Sequence, residues 1–230
     1  MNIVVLDDIP FQIDVDELMQ ELHVKDGSTH ADDLKRLVQA AQAIAKPKAL
    51  YKVAFIESKD TYTVVVDGIT FKSRVLRVNL EGAQRVFPFV ATCGMELEDW
   101  ARSMDDLLQR YWAETINEMA LRSARQMLDA HLGQRYQPGP ISTMNPGSLE
   151  DWPLQEQRPL FALLGDPCQS IGVRLTESFL MVPVKSVSGI LFPTEESFAS
   201  CQLCPREVCP SRRAPYDPDL YEMKYRVSSH

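Results

Sequence analysis

The sequence predicts a single α+β domain, a mixed or antiparallel sheet with a central hairpin packed against long helices. Two patterns carry this reading. Apolar residues alternate with polar ones at Val173, Leu175, Phe179 and Met181, the two-residue period of a strand with one buried face, and a second apolar run covers Val187 to Phe192. Pro183 has no N–H to give a ladder, so pairing should break there and leave a hairpin over 173–192. Upstream, Leu108, Trp112, Ile116, Met119, Ala120, Ala124, Met127 and Leu128 recur at helical spacing, as expected of a buried spine beneath a sheet. At 230 residues with 45% hydrophobic side chains the chain suffices for one core, and no repeat or clean linker divides it, so residues 1–230 are read as one domain.

In chain order, residues 3–6 are a short strand ending at Asp7-Asp8. A helix follows over 13–22, with Asp14 or Asp16 near its start. Ser28-Thr29 caps a second helix, 31–45, whose stripe is Leu34, Leu37, Val38 and Ala41 and which Pro47 ends. The period then changes to strands at 49–58, 61–66 and 69–71, with Asp67-Gly68 as a hairpin turn. Val86 to Thr92 is a buried strand leading into a helix from about Met95. That helix breaks near Ser103 and continues to a C-terminal cap at Gly133. Residues 134–153 read as a long irregular loop, which inside a compact domain is usually functional or disordered. A short helix over 155–164 precedes the hairpin, and 193–216 is irregular again. Residues 217–230 show no pattern.

The formal net charge is −8, which argues against nucleic acid and anionic membrane as partners. No apolar run approaches the roughly 20 residues of a membrane span. The opening Met-Asn-Ile-Val-Val-Leu-Asp-Asp has neither a basic leader nor a signal-peptide core, so a cytoplasmic location is expected, with reduced thiols. The hydroxyls of Thr176, Ser178, Ser186 and Ser188 and the carboxylate of Glu177 crowd the hairpin ends. Either they satisfy one another or they face a ligand.

The order and spacing of Leu175-Thr176-Glu177-Ser178-Phe179, Met181, Pro183 and Ser186-Val187-Ser188-Gly189 resemble the activation (reactivation) domain of cobalamin-dependent methionine synthase. Asn145-Pro146-Gly147, followed by Asp151-Trp152-Pro153 and Gln157, is similar to the Pro-Gly segment before a helix in that family. The resemblance covers roughly residues 141–192; the first 140 residues share only the order of elements. It implies a domain that binds S-adenosylmethionine and docks over the corrinoid of a neighbouring domain. There an inactive oxidised cobalt is reduced and trapped as methylcobalamin. It implies cofactor-facing roles for Asn145, Pro146, Gly147, Thr176, Glu177, Ser178, Lys185, Ser186, Ser188 and Gly189. Three contacts of the family are missing. Thr143 stands near its arginine position, Ser148 at its tyrosine position, and the turn of the long helix that should carry a carboxylate holds Arg122, Ala124 and Arg125. Each lost charge-assisted contact costs about 1.5–3 kcal/mol, so S-adenosylmethionine is expected to bind weakly or not at all.

The sharpest independent motif is Cys201-x2-Cys204-x4-Cys209, within a Cys-rich segment at 198–216. Thiolates so spaced can grip one metal, an iron–sulfur cluster or alternatively zinc, and a proline-rich loop needs some such staple. Cys168, in the loop Gly165-Asp166-Pro167-Cys168, is the expected fourth ligand, and Cys93 is expected to be a core residue. Three reduced free cysteines are the other reading. A corrinoid site within the chain is not expected, because Asp129-Ala130-His131-Leu132-Gly133 is one residue short of the Asp-x-His-x-x-Gly cobalt-ligating motif.

Two hypotheses follow. One is a component of a cobalamin-dependent methyltransferase system, not a complete enzyme: a subunit that reactivates or partners a corrinoid-binding protein or methyltransferase subunit, with the cobalamin presented by the partner and an electron passed through a cluster. The other is a non-catalytic adaptor with a structural zinc site.

Overall fold

In the computed structural model, which describes residues 3–209 and 211–227, local chemistry sets most element boundaries. Strand β1 (Ile3–Leu6) is followed by α1 (Val15–Glu21), where Asp14 Oδ1 accepts from the main-chain N–H groups of Asp16 and Glu17. Ser28 caps α2 (Thr29–Ile44) in the same way through Ala31 N. The expected strand 49–58 is two, β2 (Lys48–Lys52) and β3 (Ala54–Lys59), and β4 (Thr63–Val66) turns at Asp67-Gly68 into β5 (Ile69–Lys72). A short helix that the sequence reading lacked, α3 (Arg74–Asn79), precedes β6 (Arg85–Thr92). The helical spine divides into α4 (Met95–Arg102) and α5 (Leu107–Tyr136). Gly133 does not cap α5; the helix runs on to Tyr136, and Gln137, at φ 43°, takes the left-handed capping conformation. The expected loop 134–153 contains a strand, β7 (Ile141–Met144). Helices α6 (Gln157–Leu163) and α7 (Pro167–Ile171) and strands β8 (Arg174–Leu175), β9 (Met181–Val182) and β10 (Ser186–Pro193) follow. A π-type turn, Tyr221–Tyr225, ends the described chain.

Every strand pair is antiparallel. Strand β6 is the axis. Along one edge β2 pairs with residues 89–92 and β3 with 85–86; along the other lies β10, which also pairs with β7. The hairpin is therefore only half central. Its second arm, β10, lies mid-sheet, whereas β8 and β9 form a separate two-stranded ribbon. The tight turn at 176–180, with Phe179 at φ 64°, closes the first arm before it reaches the main sheet.

Strand β6 is buried on both faces, which accounts for its unbroken apolar run. Phe87, Phe89 and Ala91 face Ala124, Leu128 and Leu132 of α5. Val86 and Val90 face the opposite layer, built from α3, α6 and the C-terminal turn with Phe71, Trp152, Leu160 and Tyr225. The N-terminal half of α5 packs instead on α2 and α4 through Trp112, Ile116, Leu34, Val38 and Leu97. Among the described residues no helix is long and apolar enough to cross a membrane.

Candidate functional site

An open groove of about 940 Å³ runs between α5 and the ends of β7 and β10, and the cysteine loop forms its far wall. Helix α5 contributes Glu118, Leu121, Arg122, Arg125 and Gln126. The turn after β7 contributes Asn145, Gly147 and Ser148, and the start of β10 contributes Lys185, Ser186 and Val187. Cys201, Cys204, Cys209, Arg206 and Arg213 line the wall.

The turn is fixed by its own chemistry. Asn145 Nδ2 donates to Ser188 O at 2.7 Å, tying the turn to β10, and Gly147 N donates to Trp152 O at 2.7 Å. Gly147 holds φ 84°, and a Cβ there would crowd Leu154 at 2.9 Å, so this position needs glycine twice over. Pro146 is buried beneath. Ser186 Oγ donates to Pro183 O at 2.8 Å and lies in hydrogen-bond contact with Thr92 Oγ1 at 2.9 Å, which fixes where β10 begins.

Glu118, which sequence reasoning did not single out, places a carboxylate on the groove. It lies one helical turn before Arg122 on the same face of α5, and that i, i+4 relation was the available signal. Arg122 Nη2 donates to Glu118 Oε1 at 3.0 Å, and Lys185 Nζ lies 3.6 Å from Oε2. The bond from Arg122 holds the carboxyl below the ordinary glutamate range, assisted by Lys185. Of the expected contact turn, Ala124 is buried against the sheet, and Arg125 stacks 4.6 Å over the Phe89 ring while bonding Asp129. Arg122, Arg125, Lys185, Arg206 and Arg213 thus line the groove with one acidic lining residue, Glu118, while Glu21 and Asp129 pair with Arg122 and Arg125 from its margin; the lining is cationic in an acidic chain. The buried hydroxyl of Ser200, also on this wall, has no hydrogen-bond partner among the described residues. Ser148 is exposed on the groove's edge. Thr143 is buried on β7 with an unpartnered hydroxyl and lines a neighbouring groove with Arg125 and Arg213.

The remaining predicted residues lie apart from the groove. Thr176 and Ser178 bond each other at 3.0 Å, Thr176 Oγ1 accepts from Leu180 N, and Glu177 is exposed, so these groups shape the ribbon turn. Ser188 is buried and donates to Gln157 Oε1 at 2.7 Å. Gly189 is needed because β7 comes so near that a Cβ would collide with Met144 O and Asn145 Nδ2. Asp151 caps α3 through Val75 N at 2.9 Å and Arg74 N at 3.2 Å, and Trp152 is fully buried. Much of the motif is therefore architecture that aims Asn145 and Lys185. His131 Nε2 sits 3.0 Å from the buried Tyr51 hydroxyl, which occupies it.

The predicted metal ligands do not fit a metal as placed. Among the described residues no three His, Cys, Asp or Glu side chains gather closely enough to hold an ion. Cys168 is exposed on α7 and does not line the groove with the other three. The staple that the loop needs is Arg212. Its guanidinium donates to the carbonyls of Cys201 at 3.2 Å, Cys204 at 3.3 Å and Ala214 at 3.3 Å, and to that of Arg206. Cys93 is buried, its thiol pushed up to about 12, chiefly by burial.

Residues 146–201 match the family described as vitamin B12 dependent methionine synthase, activation domain. A solved structure, "Crystal Structure of the MetH Reactivation Domain bound to AdoHcy", superposes with a TM-score of 0.59 at 15% identity, over 87% of this chain and 81% of that one. The fold is that of a methionine synthase reactivation domain. The matched segment of this activation-domain fold contains the Pro-Gly turn, both arms of the hairpin and the first cysteine, and it stops before Cys204 and Cys209. No curated protein sequence matches the chain.

Proposed function

We propose that this chain is a reactivation or partner subunit for a corrinoid-dependent methyltransferase of the methionine synthase type. It acts on the cobalt of a cobalamin that the partner presents. One observation carries the reading: the Pro-Gly turn and the start of β10, both within the segment that resembles the activation domain, converge on one groove with the carboxylate of α5. The chain's own residues bind and orient. Asn145 and Ser188 fix the turn, Ser186 fixes the strand start, and Glu118, Arg122 and Lys185 set the charge of the floor. Electron delivery through an iron–sulfur cluster, and a structural zinc, are left outside the proposal because the thiols do not gather.

The groove's charge also bears on the methyl donor. Arg122, Arg125 and Lys185 are paired with carboxylates, but Arg206 and Arg213 leave the lining net positive, so a sulfonium there is repelled whereas a neutral thioether is not. S-adenosylmethionine is therefore expected to bind this groove more weakly than its demethylated product, and calorimetric titration of both checks the order. The function itself is tested by mixing the full chain with a corrinoid-loaded methyltransferase holding cob(II)alamin, a reductant and S-adenosylmethionine. A methylcobalamin spectrum that grows with added chain supports the role. A spectrum indifferent to the chain removes it.

A further inference from the structure

Cys201, Cys204 and Cys209 share one wall of the groove, but only the first two are tied to each other by local geometry. Cys201 lies in the 3₁₀ turn Ser200–Leu203 and Cys204 caps its C-terminal end, where Cys204 N donates to Cys201 O at 3.3 Å. Side chains at i and i+3 of such a turn eclipse one another, so both thiols leave the backbone on the same side. A turn of this kind keeps the two Cα atoms within about 7 Å, the reach of a disulfide. Arg212 holds both ends, with Nη1 on Cys201 O and Nη2 on Cys204 O. The two thiols differ. Cys201 Sγ accepts from the main-chain N–H of Arg213 at 3.4 Å, and both cysteines are half-buried on an open groove. A hydrogen bond to sulfur favours the thiolate, which is the nucleophile. The main-chain N–H groups of Arg213 and Ala214, with the Arg213 guanidinium, hold the Cys201 thiol below its ordinary range.

We propose that Cys201 and Cys204 form a dithiol–disulfide couple that exchanges with low-molecular-weight disulfides, Cys201 attacking and Cys204 resolving. The Cys201 thiolate attacks one sulfur of the disulfide. That S–S bond breaks, one thiolate leaves and a mixed disulfide remains on Cys201. Cys204 gives its proton to solvent and attacks the Cys201 sulfur, and the second thiolate leaves. The two protein thiols are oxidised by two electrons and the small disulfide is reduced to two thiols. An excess of small thiol runs the sequence backwards.

The test equilibrates the full chain with graded mixtures of reduced and oxidised glutathione, quenches with acid, alkylates the remaining thiols and maps them by mass spectrometry. The expected result is loss of two of the five thiols as a Cys201–Cys204 bond. Cys201 in the reduced protein should alkylate several-fold faster than exposed Cys168. Cys201→Ser should abolish the exchange, and Cys204→Ser should trap glutathione on Cys201. A bond to Cys209 in place of Cys204, or no internal bond at any ratio, overturns the proposal. So does protein as purified whose loop thiols resist alkylation because they hold iron or zinc. If a variant does not fold, the linkage map and alkylation rates of the unaltered chain decide alone.

Discussion

Glu118 is the residue on which the chemistry of the groove turns, and it titrates in a defined direction. Its carboxyl lies below its ordinary range because Arg122 and Lys185 favour the charged form. A depressed acid stabilises the fold at pH above its unfolded value, and that contribution disappears as pH falls through the folded value. Glu118→Gln should therefore lower stability modestly near neutrality and flatten the acid side of the stability–pH curve, the two proteins converging at low pH, as followed by denaturant unfolding at a series of pH values. Gly189 makes the opposite kind of prediction, set by space alone. Gly189→Ala drives a methyl into the Met144 carbonyl and should cost about 1–3 kcal/mol, read as a lowered denaturant midpoint. Cys93, with its thiol near 12, should stay unreactive towards thiol reagents until the chain unfolds. At this scale the sequence was only partly legible. Asn145 and Gly147 were singled out by the resemblance, and the structure adds the turn chemistry that fixes them. Glu118 was hidden because an acidic residue on a long exposed helix face carries no signal of the groove that the fold builds beside it. Arg212 was noticed only as a charge beside the cysteines; its hold on the loop was hidden because its partners are main-chain carbonyls, which no side-chain pattern reports.

Among elements, long-period signals were read most faithfully. The stripe from Trp112 to Leu128 became α5, and the caps Asp14 and Ser28 stand where their side-chain chemistry put them. Strand β7 was missed because four residues between Gly139-Pro140 and the Asn145-Pro146-Gly147 turn carry too short a period to register. The first arm of the hairpin was misplaced for a related reason. Alternation specifies a strand but not its partner, and the Thr176–Leu180 turn pairs it locally. The cysteine loop depends on one guanidinium. Arg212→Ala should free up to four carbonyls and open the loop to protease between Cys204 and Arg213, with little change at β6 or α5, as limited proteolysis with mass mapping would show.

For the molecule as a whole, the sheet acts as a frame that delivers three distant pieces to one place. Strand β10 lies between β6 and β7, so Lys185 and Asn145 emerge at the same end. Helix α5, packed across β6 and β2, brings Glu118 opposite them. That convergence is long-range and was invisible as periodicity, although the resemblance of 141–192 located two of the three pieces. If the groove is the face turned to a corrinoid partner, its backbone should be shielded when the two proteins meet. Hydrogen–deuterium exchange of the full chain, alone and with a corrinoid-loaded methyltransferase, measures this directly. The account predicts slower exchange at 145–148 and 184–187 and along the Glu118–Gln126 face of α5, with the β3–β4–β5 meander unchanged. Protection confined to that meander or to α1–α2, or no protection anywhere, would contradict it.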